Sequence, residues 1–87
     1  MNSEKPVLID FYATWCGPCQ MVSPIVDEIA EENPQYVVGK IDVDKEQQLA
    51  MRFGIVSRPT LICVKNGIIA AKQVGFATKD KILEMLK

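Results

Sequence analysis

The sequence has 87 residues, 48% hydrophobic and 24% charged, with a net charge of −1, which sets one small globular domain over residues 1–87 and gives no electrostatic footprint for nucleic acid or an anionic membrane. It has no histidine, so the usual general base and the commonest metal ligand are both missing, and no apolar run approaches the ~20 residues that a membrane span needs. A chain this short buries roughly 60–65% of its unfolded surface, enough for one core but not for a large enclosed cofactor, so function is expected at the surface, on a short motif.

The first residues, MNSEKPVLID, lack the basic start, long apolar region and small-residue cleavage site of a secretory leader and read as an unprocessed cytoplasmic beginning. The cysteines, Cys16, Cys19 and Cys63, are odd in number, unlike a secreted disulfide framework. Residues 6–13, PVLIDFYA, form a nearly continuous apolar run, as expected for a central strand covered on both faces, with Asp10 interrupting it. From Cys16 to about Asn33 the period changes. Val22, Ile25, Val26 and Ile29 make one apolar stripe, and Asp27, Glu28, Glu31 and Glu32 lie off it, which predicts an amphipathic helix kinked at Pro24 and broken by Asn33-Pro34-Gln35.

Residues 36–43 read as a second strand. Residues 44–54 read as a short helix with Asp44 as N-cap, Gln47 as its capping-box partner and Gly54 as the stop. A loop, Val56-Ser57-Arg58-Pro59, leads to strands at 60–64 and 68–74, joined by the hairpin dipeptide Asn66-Gly67. Thr78 caps a last helix whose apolar face is Ile82, Leu83, Met85 and Leu86, with Asp80 in the first turn suiting the helix dipole. The order β-α-β-α-β-β-α implies an α/β fold: a mixed four-stranded sheet with helices on its faces, its first crossover right-handed and parallel and its hairpin antiparallel.

The two cysteines of Thr14-Trp15-Cys16-Gly17-Pro18-Cys19-Gln20 admit three uses: a staple, half of a metal site, or a redox pair. Cys16 falls where the first strand has ended and the helix begins. The unpaired amides there favour a thiolate, whose pKa drops below the ~8.5 of a free cysteine. Cys19 lies one turn later and can reach the Cys16 sulfur, as a disulfide or as a second attacker. Gly17 lets a partner backbone approach, and Pro18 suits a first helical turn. Zinc needs four ligands, and three cysteines without histidine do not supply them. A copper-transfer domain, which also sets such a pair between strand and helix, is the better metal rival. A staple closing so small a ring constrains little of the unfolded chain.

Asp10 is costly in an apolar strand unless it is paired or has its pKa raised. It either faces solvent or, lying just ahead of the cysteine turn, pairs with Lys40 across the sheet and exchanges a proton with Cys19. Cys63 reads as an inert core residue, and Met51, Phe53 and Met85 as core too.

The segments VLIDFYATWCGPCQMVSPIVDEIA, VGKIDVD, FGIVSRPTLICVKNG and VGF, in this order and spacing, resemble the thioredoxin family from about Pro6 to the C-terminus. The resemblance implies a thioredoxin fold and a thiol–disulfide oxidoreductase in which Cys16 attacks, Cys19 resolves, and Asp10, with Lys40 as neighbour, assists proton transfer. It implies that Pro59 is a cis-proline facing the cysteines, and that Trp15, Gly17, Pro18, Arg58, Pro59 and Gly75 frame the substrate surface. It implies no bound cofactor or metal, a thioredoxin reductase (NADPH/flavin or ferredoxin-linked) as electron source, and disulfide-containing proteins as targets. Gly17-Pro18 resembles the reducing members. Two departures stand out. Only 15 residues precede Cys16, too few for the family's usual extra strand and helix, so a monomer is expected with residues 36–43 as an open sheet edge and a route to dimers. Arg58 stands where the family often has isoleucine, and its charge is expected to stabilise the Cys16 thiolate or to favour acidic substrates.

Overall fold

The structure is a computed structural model that describes residues 5–87. Its elements run β1 (Val7–Tyr12), α1 (Gly17–Glu32), β2 (Val37–Asp42), α2 (Gln47–Arg52), β3 (Thr60–Lys65), β4 (Ile68–Val74) and α3 (Lys79–Leu86). They form one mixed sheet in the order β2-β1-β3-β4. β1 pairs parallel with β2, with Asp10 opposite Lys40. β1 pairs antiparallel with β3, with Asp10 opposite Leu61. β3 and β4 are antiparallel, with a register shift at Cys63/Val64. The expected architecture is thus present, and among the described residues β2 lies at a sheet edge.

Side-chain alternation along β1 divides the core into two halves. Val7, Ile9 and Phe11 pack with Ile62, Val64 and Ala50 on the face under α2. Leu8 packs with Leu61, Cys63, Val22, Val26, Ile29, Ile82 and Leu86 on the face under α1 and α3. That second cluster is built from the apolar stripes of the two helices, and each such side chain contributes about 1.5–3 kcal/mol on burial. Asp10 shares the Leu8 face by the same alternation and therefore lies beneath α1. Lys79 ties α3 to α1 through Glu28 and Glu32, each at 2.5 Å.

The local signals were accurate where one residue sets the geometry. Asn66 and Gly67 take φ of 54° and 77°, the left-handed pair that a two-residue hairpin requires. Thr78 Oγ1 accepts from Lys81 N at 3.3 Å. The start of α2 differs from expectation. Its N-cap is Glu46, without a side-chain cap bond. The Asp42 carboxylate instead accepts from the Asp44 amide at 2.9 Å, forming a side-chain turn that occupies the residues expected to begin the helix. Met51 is exposed rather than in the core, because a six-residue helix buries little more than Ala50. Among the described residues no helix is long and apolar enough to cross a membrane.

Candidate active site

Cys16 and Cys19 are joined as a disulfide, with Cα atoms 5.2 Å apart. Cys16 is the N-cap of α1, in extended conformation. Its sulfur accepts a hydrogen bond from the Cys19 amide at 3.1 Å. The cysteine therefore occupies the place usually taken by a Ser or Asp oxygen, and an anionic sulfur there gains both that bond and the positive end of the helix. The sulfurs belong to the α2-side core: Cys16 is 6% exposed and Cys19 2%. Pro18 lies in the first turn, where its missing N–H loses nothing. A Cβ at Gly17 would meet nothing within 4 Å, so no other part of the chain crowds that position. A shallow depression of about 200 Å³, lined by Tyr12, Ala13, Thr14, Cys19, Gln20 and Ser23, reaches Cys19 from the side.

The remaining sequence-derived site residues fall into two groups. Around the disulfide, Trp15 is 67% exposed and its indole N–H donates to Asp44 at 2.8 Å. The Arg58–Pro59 bond is cis. The Arg58 guanidinium lies over the Trp15 ring, 5.3 Å from its centroid. Gly75, at φ 87°, donates its amide to the Pro59 carbonyl at 2.8 Å. That left-handed φ is strained for any residue with a Cβ. Contacts thus link Trp15 to Arg58 and Gly75 to Pro59, with Pro59 itself buried, whereas Gly17 and Pro18 adjoin Trp15 along the chain. Asp44 was the residue not anticipated in this group; the sequence assigned it to a helix cap, and nothing local links it to Trp15.

The second group lies under α1. Asp10 is 1% exposed, and neither carboxylate oxygen has a hydrogen-bond partner among the described residues. Burial pushes its pKa up from 3.8 to about 6, with the Lys40 charge pulling the other way and Asp27 adding to the rise. Lys40 does not pair with Asp10 as the sequence suggested. Its ammonium bonds to Asp27 and to the Ser23 hydroxyl, both at 2.6 Å, because α1 crosses above this end of β2 and offers partners nearer solvent. Lys40 acts on Asp10 only through its field. The carboxyl therefore titrates near neutrality and can bind and release a proton at working pH.

Comparison with known proteins agrees with this geometry. A sequence model of the family described as Thioredoxin matches residues 1–87. The thioredoxin of Mycoplasmoides gallisepticum is 38% identical over 87 residues, spanning 100% of this chain and 87% of that one. A bifunctional thioredoxin reductase/thioredoxin of Mycobacterium leprae is 46% identical over 87 residues, spanning 99% of this chain and 19% of that longer one. The solved structure of a thioredoxin variant from Halobacterium salinarum superposes with a TM-score of 0.91 at 40% identity, covering 98% of this chain and 74% of that one.

Proposed function

The chain belongs to the thioredoxin family of thiol–disulfide oxidoreductases, and from that premise we propose that it reduces protein disulfides through Cys16 and Cys19 and carries electrons to them from a reductase. The observation that carries the assignment of these residues is a disulfide whose first sulfur caps a helix and accepts its amide.

The reduced protein begins with Cys16 as a thiolate, held by the Cys19 amide and the helix N-terminus. A substrate disulfide docks over Gly17 and against Trp15, the Arg58–Pro59 loop and Gly75. The Cys16 sulfur attacks one substrate sulfur. The substrate S–S bond breaks, a Cys16–substrate disulfide forms, and the first substrate sulfur leaves and takes a proton. The Cys19 thiol then loses its proton, with Asp10, buried beneath the helix that carries Cys19 and raised in pKa, as its eventual acceptor. Cys19 attacks the Cys16 sulfur, closes the Cys16–Cys19 disulfide and releases the second substrate sulfur, which takes the proton. Two electrons have passed from the protein dithiol to the substrate disulfide.

A thioredoxin reductase restores the dithiol. A relative in which reductase and thioredoxin share one chain supports such a partner. The protein works as a monomeric electron-transport carrier in the cytoplasm, where thiols are kept reduced. Copper transfer is not favoured: the family is one of disulfide oxidoreductases, and the two sulfurs bond to each other.

Insulin reduction by dithiothreitol tests the proposal. The wild-type protein should accelerate insulin precipitation, and Cys16→Ser should not. Cys19→Ser should accumulate a protein–substrate mixed disulfide visible by mass spectrometry. Equal rates with and without the wild-type protein would sink the assignment.

A further inference from the structure

The established chemistry needs no positive charge at position 58, yet the structure holds one there with care. Two bonds fix the backbone on either side of it. Thr60 Oγ1 donates to the Ser57 carbonyl at 2.7 Å, and the Gly75 amide donates to the Pro59 carbonyl at 2.8 Å. The side chain lies over Trp15, 5.3 Å from the ring centroid, and Trp15 is itself anchored to Asp44. Such stacking orients a guanidinium while leaving its outer N–H groups free to bond. Among the described residues no carboxylate lies within ion-pair distance of Arg58. Its Nε is buried without a hydrogen-bond partner among the described residues. Val56, Val74 and Phe76, exposed on neighbouring loop and strand ends, supply apolar surface rather than a competing anion.

The geometry points to Arg58 as a specificity-determining residue that receives a carboxylate from the substrate, so that disulfides with an acidic residue beside the attacked cysteine are preferred. This rests on the disulfide-reducing function proposed above. Trp15, whose ring carries the Arg58 guanidinium, is followed directly by Cys16, which brings the cation into the neighbourhood of the attacking sulfur. A substrate residue one or two places from its cysteine lies within ~7 Å of it along an extended chain, inside the reach of an aspartate or glutamate. The planar fork of the guanidinium suits a carboxylate in two-point contact. Phosphate would satisfy the same fork, but a carboxylate is the anion that an ordinary polypeptide carries next to its cysteine.

The test uses two short peptides, each closed by one disulfide and identical except for Glu or Gln beside one cysteine. Prereduced protein is mixed with each in single turnover, quenched in acid and counted by mass spectrometry. The Glu peptide should react about three- to fivefold faster at low salt, the range of a solvent-screened ion pair, and the ratio should shrink at about 0.5 M salt. Arg58→Ile should bring the ratio to one, and Arg58→Lys should restore part of it. Because the Gln peptide is each variant's own reference, a general loss of activity does not mimic the effect. Equal wild-type rates, or a preference that persists in Arg58→Ile, would overturn the inference while leaving disulfide reduction intact. Failure of either peptide to oxidise the dithiol would overturn disulfide reduction itself and the inference with it.

Discussion

Lys40 stands directly opposite Asp10 in the β1–β2 register but gives its ammonium to Asp27 and Ser23. The buried carboxyl thus feels a cation it does not touch and an anion that offsets it. Burial raises the carboxyl to about 6 and the two charges pull it in opposite directions, so substituting them one at a time separates their effects.

Removing either group should move Asp10 in opposite directions. Lys40→Gln takes away the charge that lowers its pKa and leaves Asp27 uncompensated, so Asp10 should titrate above about 6. Asp27→Asn takes away the opposing charge and should bring it down. Carbon-13 NMR titration of the Asp10 carboxyl reads both. Shifts of the same sign in the two variants would rule out this arrangement.

The same carboxyl makes stability depend on pH, with a sign opposite to that of a salt-bridged aspartate. Asp10 ionises at 3.8 in the unfolded chain and at about 6 when folded, so the folded protein binds the extra proton and stability falls as pH rises between those values. At roughly 1.4 kcal/mol per pKa unit the full loss is about 3 kcal/mol above pH 6. Asp10→Asn should therefore unfold at higher urea than wild type at pH 7.5, by up to about 3 kcal/mol. The gain should fade toward pH 4. Its catalytic turnover should also fall if the proposed mechanism holds, since Asp10 is there the acceptor assigned to the Cys19 proton.

What the sequence made legible was local. The stripe of Val22, Val26 and Ile29, the Asn66-Gly67 turn and the Thr78 cap each report on a few neighbouring residues, and each formed where it was expected. The cysteine pair was legible for the same reason: strand end, helix start and one-turn spacing are all within a dozen residues. What stayed hidden depends on distant parts of the chain. No local pattern announced that β3 would insert beside β1. Lys40 had an evident partner by register and lost it to side chains carried over it by α1. Asp44 had an evident role as a cap and instead holds an indole 29 residues away.

Cys16 and Cys63 should separate cleanly by reactivity. Cys63 is fully buried in the α1/α3-side core, and that burial pushes its thiol pKa up, more than Lys65 lowers it. In the reduced, folded protein, iodoacetamide should modify Cys16 first, with a rate that titrates below the ~8.5 of a free thiol. Cys63 should resist until denaturant is added. Peptide mapping of the alkylated protein distinguishes the sites. A Cys16 rate that titrates like an unstructured cysteine would remove the helix-cap argument.

Asp44 should matter for binding more than for stability. Its bond to the Trp15 indole is on the surface, so Asp44→Ala should change unfolding free energy by less than about 1 kcal/mol. The indole, mostly exposed and held besides by the guanidinium over it, should then sample more orientations. Trp15 is the sole tryptophan, so time-resolved fluorescence anisotropy reports on it alone and should show faster local motion. Ordering that ring on docking would then cost more, and the rate with a disulfide peptide should drop about two- to threefold, a fraction of the cost of immobilising one large side chain. Asp44→Asn keeps an oxygen acceptor and should recover most of the loss. If anisotropy and rate were both unchanged in Asp44→Ala, the carboxylate would be a bystander and Arg58 alone would set the tryptophan's position.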